Sequence, residues 1–233
     1  MESVLRLFLS NLKLCSLHVL LKYTVTSFIT LNLTTGWLQK RAEVQAVNGK
    51  IKITVGTTSG CSDTVNFISN QLVETHRLYG NFLEIEFVPW GRGTLIDGVF
   101  WCQFGEADCW ANRLHRCVLN ILKNNQDAQV HYMACEFSSP FPSFVQGSYL
   151  CAQAVGVNLI DVDYCVANPG DALDTAAQAA AAEPMASVNF VPYVVFNGIA
   201  TRPLTDEAMV RLASMVCFAL AADPSTGVTN CQI

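Results

Sequence analysis

The chain holds no Cys-x-x-Cys pair, no run of five basic residues and no uninterrupted apolar stretch of eighteen. Each absence removes a class of function. Without a basic run, and with a net charge of −5, there is no surface to track a phosphate backbone, so no nucleic-acid partner is expected. Without a long apolar stretch, a full membrane span is not expected. The four histidines, His18, His76, His115 and His131, are scattered, and no two cysteines lie two to four residues apart. A structural zinc centre therefore lacks its paired ligands, and no metal is expected. Charge is also scarce, at 14% of residues, against 51% hydrophobic. That balance belongs to a buried globular chain rather than a disordered one.

What is present is cysteine, ten in 233 residues. With metal ligation disfavoured by spacing, that number implies disulfides and an oxidising compartment. Residues 1–40 agree with export. Apolar runs there are interrupted by Lys13 and Lys22, as in an untidy signal sequence or leader. A short membrane anchor is the rival reading, and no stable membrane contact is expected beyond a possible uncleaved leader. The single glycosylation sequon, Asn32-Leu33-Thr34, falls inside this leader.

From residue 48 to 233 the pattern is that of one α/β domain. Ile51, Ile53 and Val55 alternate with polar residues, as in a half-buried strand. After Cys61, Val65, Ile68, Leu72 and Tyr79 fall at helical spacing, stopped by Gly80-Asn81. Leu83, Ile85 and Phe87 alternate again, which completes a βαβ unit. The middle, about 100–186, reads as an inserted helical subdomain, with helices over 108–123, 144–155 and 172–183. Near the end, Val188 to Phe196 reads as strand, Asn197-Gly198 as a hairpin turn, and Thr205 as the cap of a final helix carrying Met209, Leu212, Val216 and Leu220.

Cys61 lies where the first strand hands over to the helix. A thiol there meets unpaired N–H groups and the positive end of the helix dipole, which favour thiolate. It is the position of a thioredoxin-type nucleophile, but the motif reads Cys61-Ser62-Asp63-Thr64, and Thr64 occupies the place of the resolving thiol. The competing reading is an ordinary buried or disulfide-bonded Cys61. Pro192, at a strand start, is expected to be cis and beside Cys61 by the order of elements. Asp63, Asp97, Glu106 and Asp108 are expected to be solvated at the surface, and His115 to lie at the surface or between helices.

The string from Cys102 through Gln103, Gly105, Asp108, Cys109 and Asn112 to Cys117 is the least accidental part of the chain. It resembles the signature of the gamma-interferon-inducible lysosomal thiol reductases, C-Q-H-G-x2-E-C-x2-N-x4-C. Every spacing agrees, with Phe104 in place of His and Asp108 in place of Glu. Val88-Pro89-Trp90-Gly91, the segment from Val191-Pro192-Tyr193 to Asn197-Gly198 and the Cys217…Cys231 tail extend the resemblance over roughly 51–233. It implies a thioredoxin-like fold with a helical insertion, stapled by disulfides. It also implies a thiol–disulfide oxidoreductase of the endosomal–lysosomal or secreted space, acting on protein disulfides. Cys61 maps to the first catalytic Cys and Thr64 to the second. Setting aside Cys15 and Cys61 leaves Cys102, Cys109, Cys117, Cys135, Cys151, Cys165, Cys217 and Cys231 for four bridges, of which Cys217–Cys231 is the expected short closure. The function expected is monothiol exchange through Cys61, with an external thiol as reductant and no bound cofactor. The alternative is a catalytically degenerate, disulfide-stapled secreted binding protein.

Overall fold

The structure, a computed structural model, describes residues 44–97, 99–168 and 170–231. The leader expected over 1–40, with Cys15 and the Asn32 sequon, lies outside the described residues. Strand β1 (Ile51–Thr57) runs parallel to β2 (Leu83–Pro89) and antiparallel to β5 (Tyr193–Phe196), which pairs in turn with β6 (Ile199–Ala200). The sheet order is β2-β1-β5-β6. β1 is therefore interior, and Ile51, Ile53 and Val55 are fully buried. Gly56 is required in β1 because the ring of Tyr193 packs where a Cβ would stand.

The crossover from β1 to β2 is helical throughout. It begins with α1 (Ser62–Phe67), passes through a π-helical segment, Ile68–Leu72, and continues as α2 (Val73–Tyr79). On β5, Val194 and Phe196 join the larger apolar cluster, while Tyr193 and Val195 join a second one. Alternate residues of a strand face opposite sides, so the sheet is covered on both faces. The larger cluster holds Phe67, Ile68 and Leu72 with Leu204, Leu212 and Val216 of the C-terminal helix. This βαβ unit, hairpin and closing helix make a thioredoxin-like core.

Between β2 and β5 lies the insertion, and it is not all helical. It opens with an antiparallel hairpin, β3 (Thr94–Ile96) and β4 (Val99–Trp101). Helices follow: α3 (Glu106–Ile121), α4 (Gln126–Glu136), α5 (Pro142–Gln146), α6 (Leu150–Ala154), α7 (Leu159–Ala167) and α8 (Gly170–Val188). The helix expected over 144–155 is two helices, because Gly147 takes a left-handed conformation, φ 59°, and caps the first. α8 runs past Pro184, and the strand expected from Val188 begins only at Tyr193.

The final helix, α9 (Arg202–Ala221), starts earlier than expected. Thr201 caps it, accepting from Leu204 N at 3.3 Å, with Pro203 in the first turn. Thr205 is buried instead and ties α9 to β5, accepting from Val194 N at 3.1 Å. Arg211 leaves helical geometry (φ −153°, ψ 42°), and the Leu212 N–H finds Gln71 Oε1 at 3.1 Å.

Candidate functional site

Cys61 is the N-cap of α1, in extended conformation (φ −93°, ψ 118°), and its side chain is fully buried. Its sulfur lies 3.5 Å from the carbonyl oxygen of Val191. The Val191–Pro192 peptide bond is cis. The Cys61 sulfur is disulfide-bonded in this structure, which is the state that the competing reading of the sequence expected. One turn further on, Thr64 is fully buried and its hydroxyl has no hydrogen-bond partner among the described residues. A buried hydroxyl in that state costs about 1–3 kcal/mol. Asp63, beside it, is raised above the ordinary carboxyl range by partial burial.

The loop that presents Cys61, residues 58–60, is held from the insertion by one face of α3. Asp108, Asn112 and His115 recur there at intervals of four and three, so their side chains stack along one side of the helix. Asp108 accepts from Thr58 Oγ1 at 2.9 Å, from Gly60 N at 3.1 Å and from Phe104 N at 3.3 Å. Asn112 Oδ1 accepts from Ser59 N at 3.0 Å and Ser59 Oγ at 2.8 Å, and its Nδ2 donates to Asp108 at 3.0 Å. His115 Nε2 lies 2.9 Å from Ser143 Oγ, and Glu136 accepts from Ser143 N at 3.1 Å.

The expectation that Asp108 is solvated at the surface is thereby corrected, since it is fully buried, while His115, expected at the surface or between helices, lies between α3, α4 and α5 and is 1% exposed. The loop's own N–H and hydroxyl groups need acceptors once buried, and only the facing helix supplies them. Burial raises the Asp108 carboxyl, against the opposing pull of its bonds from Thr58, Gly60, Phe104 and Asn112. Burial also pushes Glu136 up, but the His115 ring and Ser143 together hold it below its ordinary value.

Phe104 closes the loop from above. Its ring sits where a Cβ on Gly60 would stand, 2.6 Å from the nearest ring atom, so position 60 admits only glycine without a shift. Gly105, at φ 84°, turns the chain from Phe104 into α3. Sequence reasoning missed Thr58, Ser59 and Gly60. The available signal was the polar stripe of Asp108, Asn112 and His115 beside the apolar positions Leu114 and Val118 of the same helix.

The eight cysteines set aside as structural form four bridges: Cys102–Cys109, Cys117–Cys165, Cys135–Cys151 and Cys217–Cys231. The first closes the turn that carries Phe104. The second ties α3 to α7. On the adjoining flank of α3, Arg116 bonds Asp174 through Nε at 2.9 Å, donates to the Pro89 carbonyl, and lies over the rings of Trp90 and Phe100. Asp97 and Glu106 are exposed, and no cluster of three metal-ligating side chains occurs among the described residues.

Comparison with known proteins follows this geometry. Residues 52–155 match the family model described as gamma interferon inducible lysosomal thiol reductase. A gamma-interferon-inducible lysosomal thiol reductase-like protein of Anopheles gambiae is 28% identical over 98 residues, 37% of this chain and 41% of its own length. A gamma-interferon-inducible lysosomal thiol reductase of Carassius auratus is 27% identical over 169 residues, 67% of this chain and 63% of its own. The chain thus spans less than two thirds of either relative. Among solved structures, a thioredoxin-like oxidoreductase from Silicibacter pomeroyi is similar over 70% of this chain and 87% of its own, at 12% identity and a TM-score of 0.46. DsbA from Pseudomonas aeruginosa covers 68% of this chain and 76% of its own, at 13% identity and a TM-score of 0.41. The matched stretch runs from β1 through Cys61 and the Cys102–Cys117 string to α6, and over it the chain is similar to the gamma-interferon-inducible lysosomal thiol reductases.

Proposed function

We propose that this protein is a thiol–disulfide oxidoreductase that works with one thiol, Cys61, on protein disulfides in the endosomal–lysosomal or secreted space. The observation that carries the reading is the placement of Cys61. It caps a helix at the end of the central strand, against the Val191–Pro192 segment, on a loop whose polar groups are bonded by Asp108 and Asn112.

The reaction begins with reduction of the Cys61 disulfide by an external thiol. The Cys61 thiolate then attacks one sulfur of a substrate disulfide, forming a mixed disulfide and expelling the other sulfur as thiolate. Thr64 cannot attack that intermediate. A small-molecule thiol displaces the bound substrate sulfur from Cys61 instead. A second equivalent then frees Cys61 and leaves as the oxidised dimer. Each turnover moves two electrons from two external thiols to one substrate disulfide. In this reading the Thr64 hydroxyl, one turn after Cys61 and buried with no hydrogen-bond partner among the described residues, donates to the thiolate. The four bridges support a secretory-pathway protein.

The test is reduction of a protein disulfide at acidic pH with excess small thiol, with mass spectrometry of the trapped intermediate. Activity is expected in the wild type, with substrate attached at Cys61 and lost in Cys61→Ser. Thr64→Cys is expected to lower the external-thiol concentration needed. Activity that survives in Cys61→Ser overturns the assignment. A wild type that traps no substrate leaves the degenerate binding protein as the reading.

A further inference from the structure

Behind the Cys61 loop lies a buried chain of polar groups that the proposed reaction does not use. His115 Nδ1 lies 3.5 Å from Ser59 Oγ, and Nε2 lies 2.9 Å from Ser143 Oγ. Glu136 Oε2 accepts from Ser143 N at 3.1 Å and stands 3.6 Å from His115 Nε2. Ser59 is 5% exposed, and His115, Glu136 and Ser143 are less so. The chain therefore runs from α4 and α5, through one imidazole on α3, to a hydroxyl two residues before Cys61.

Ser143, His115 and Glu136 are the residue types of a hydrolytic triad, but the geometry is not that of one. In a triad the carboxylate and the hydroxyl sit on different ring nitrogens. Here both face Nε2, and burial keeps a substrate carbonyl away from Ser143. What the arrangement supports is charge pairing. A buried carboxylate is costly unless a cation lies beside it. Burial pushes Glu136 up, yet the His115 ring and Ser143 hold it below its ordinary value. Among the described residues, the other groups around the ring supply no such cation. Tyr132 and Phe137 pack against it at steep angles. Asp108, two turns back on α3, faces Thr58 and Gly60, while Arg113 and Arg116 are turned to Asp174.

We propose that His115 is a positioning residue for the Cys61 reaction: as the imidazolium partner of Glu136 it sets a positive charge against Ser59 and so favours the thiolate of reduced Cys61. The inference rests on the thiol reading above. With both ring nitrogens protonated, Nε2–H donates to Ser143 and Nδ1–H points at Ser59 Oγ. Ser59 gives its own proton to Asn112 Oδ1 at 2.8 Å, so its oxygen is left to face the ring. At 3.5 Å that contact acts as a charge on a dipole more than as a short hydrogen bond. A positive charge on one side of the loop lowers the cost of a negative sulfur carried by the same loop. Phe104, in the place where the signature has His, offers the loop only an apolar ring against Gly60. Among the described residues, the imidazole that reaches the loop is that of His115.

The experiment compares wild type with His115→Gln and Glu136→Gln. Each protein is reduced with a small thiol and treated with iodoacetamide over a range of pH, and alkylation at Cys61 is read by mass spectrometry of its peptide. Disulfide exchange is followed in parallel, and circular dichroism reports folding. His115→Gln keeps a hydrogen-bonding group at this position but no charge. Its alkylation midpoint is expected to move to higher pH, with the rate at about pH 6 roughly threefold lower, as for partial loss of a nearby opposite charge. Glu136→Gln decides the route. Removing a negative charge that acted directly on the sulfur would speed alkylation, whereas removing the partner that keeps His115 charged slows it. Slower alkylation in both variants is the expected result. An unchanged midpoint in folded His115→Gln, or faster alkylation in Glu136→Gln, overturns the proposal. If His115→Gln does not fold, Glu136→Gln, of nearly the same shape as wild type, decides alone. If wild type exchanges no disulfide, the thiol reading fails, while the Cys61 midpoints still decide the role of His115.

Discussion

Two cysteine-bearing regions divide the work unequally. The Cys102–Cys117 string holds three cysteines, and each is in a bridge within the insertion. The Cys61 loop holds one, set against the Val191 carbonyl at the end of the central strand. The richer region supplies architecture, and the poorer one supplies the candidate chemistry. The residues that join them are not cysteines. Asp108 and Asn112 reach out of the string and occupy the hydrogen-bonding groups of residues 58–60. In the proposed reading, density of cysteine is therefore a poor guide to where reaction occurs.

This division can be broken most sharply at Cys61. Cys61→Ser is expected to bring disulfide exchange down to background with the fold intact, read by coupled thiol oxidation and circular dichroism. Next in size is the bridge Cys117–Cys165. Replacing both with Ser is expected to cost about 4 kcal/mol of stability for a loop of that length, against about 2.5 kcal/mol for the shorter Cys102–Cys109 loop. Urea unfolding measures this. If loss of Cys117–Cys165 also abolishes exchange in protein that remains folded, the string does more than hold.

Asp108→Ala and Asn112→Ala sharpen the link between the regions. Each is expected to lower stability by roughly 2–3 kcal/mol, because loop donors are left buried without acceptors. In a double-mutant cycle the two are expected to be non-additive, since they share Thr58 and each other. Additive losses would argue against one clamp.

A smaller effect concerns pH. The Asp108 carboxyl is raised in the fold, chiefly by burial. Its neutral form is favoured in the folded protein, so the stability it contributes is present in acid and lost as pH rises through the folded value. Glu136 is lowered and runs the other way, losing its contribution as pH falls through its folded value. Arg116 is the cation whose charge is felt at Asp108. As pH falls through the folded value of Asp108 toward the ordinary carboxyl value of 3.8, wild type is expected to gain stability relative to Asp108→Asn, which removes only the Asp108 contribution. Parallel stability–pH curves would contradict that sign. The smallest change is Thr64→Val. It is expected to stabilise the disulfide form slightly by removing a buried hydroxyl that has no partner among the described residues, and to slow alkylation of reduced Cys61. A faster rate would exclude the hydroxyl from a role at the thiolate.

Much of this molecule was legible because its signals are local. The alternation of Ile51, Ile53 and Val55, the spacing of Ile68 and Leu72, and Asn197-Gly198 each encode one element with nearby residues. Asn197 and Gly198 do take the positive φ values that such a turn needs. The β3–β4 hairpin has an equally local signal, Asp97-Gly98 flanked by Thr94-Leu95-Ile96 and Val99-Phe100-Trp101, but it falls across the expected start of the helical insertion at about 100, where no strand is expected. Other features were not local. Asp108 resembles any surface acid until residues 58–60 are folded against it. Thr205 has the sequence of a cap, but tertiary contact with Val194 gives it another partner.

The π-helical segment Ile68–Leu72 has a geometric consequence. A π turn holds more residues than an α turn, so it shifts the angular phase of everything on one side relative to the other. Deleting one residue there would restore α geometry and rotate Ser62–Phe67 by about 100° relative to Val73–Tyr79. Cys61 is anchored by its loop and α2 by its packing, so both cannot turn. The extra residue acts as a spacer between two fixed orientations. Gln71, within that segment, takes up the Leu212 N–H at the break in α9, so the two helices interrupt their regular winding where they meet. Single-residue insertions in this crossover should be better tolerated at the Gly80 end than between Cys61 and Val73, because only the latter would change the direction in which the sulfur points.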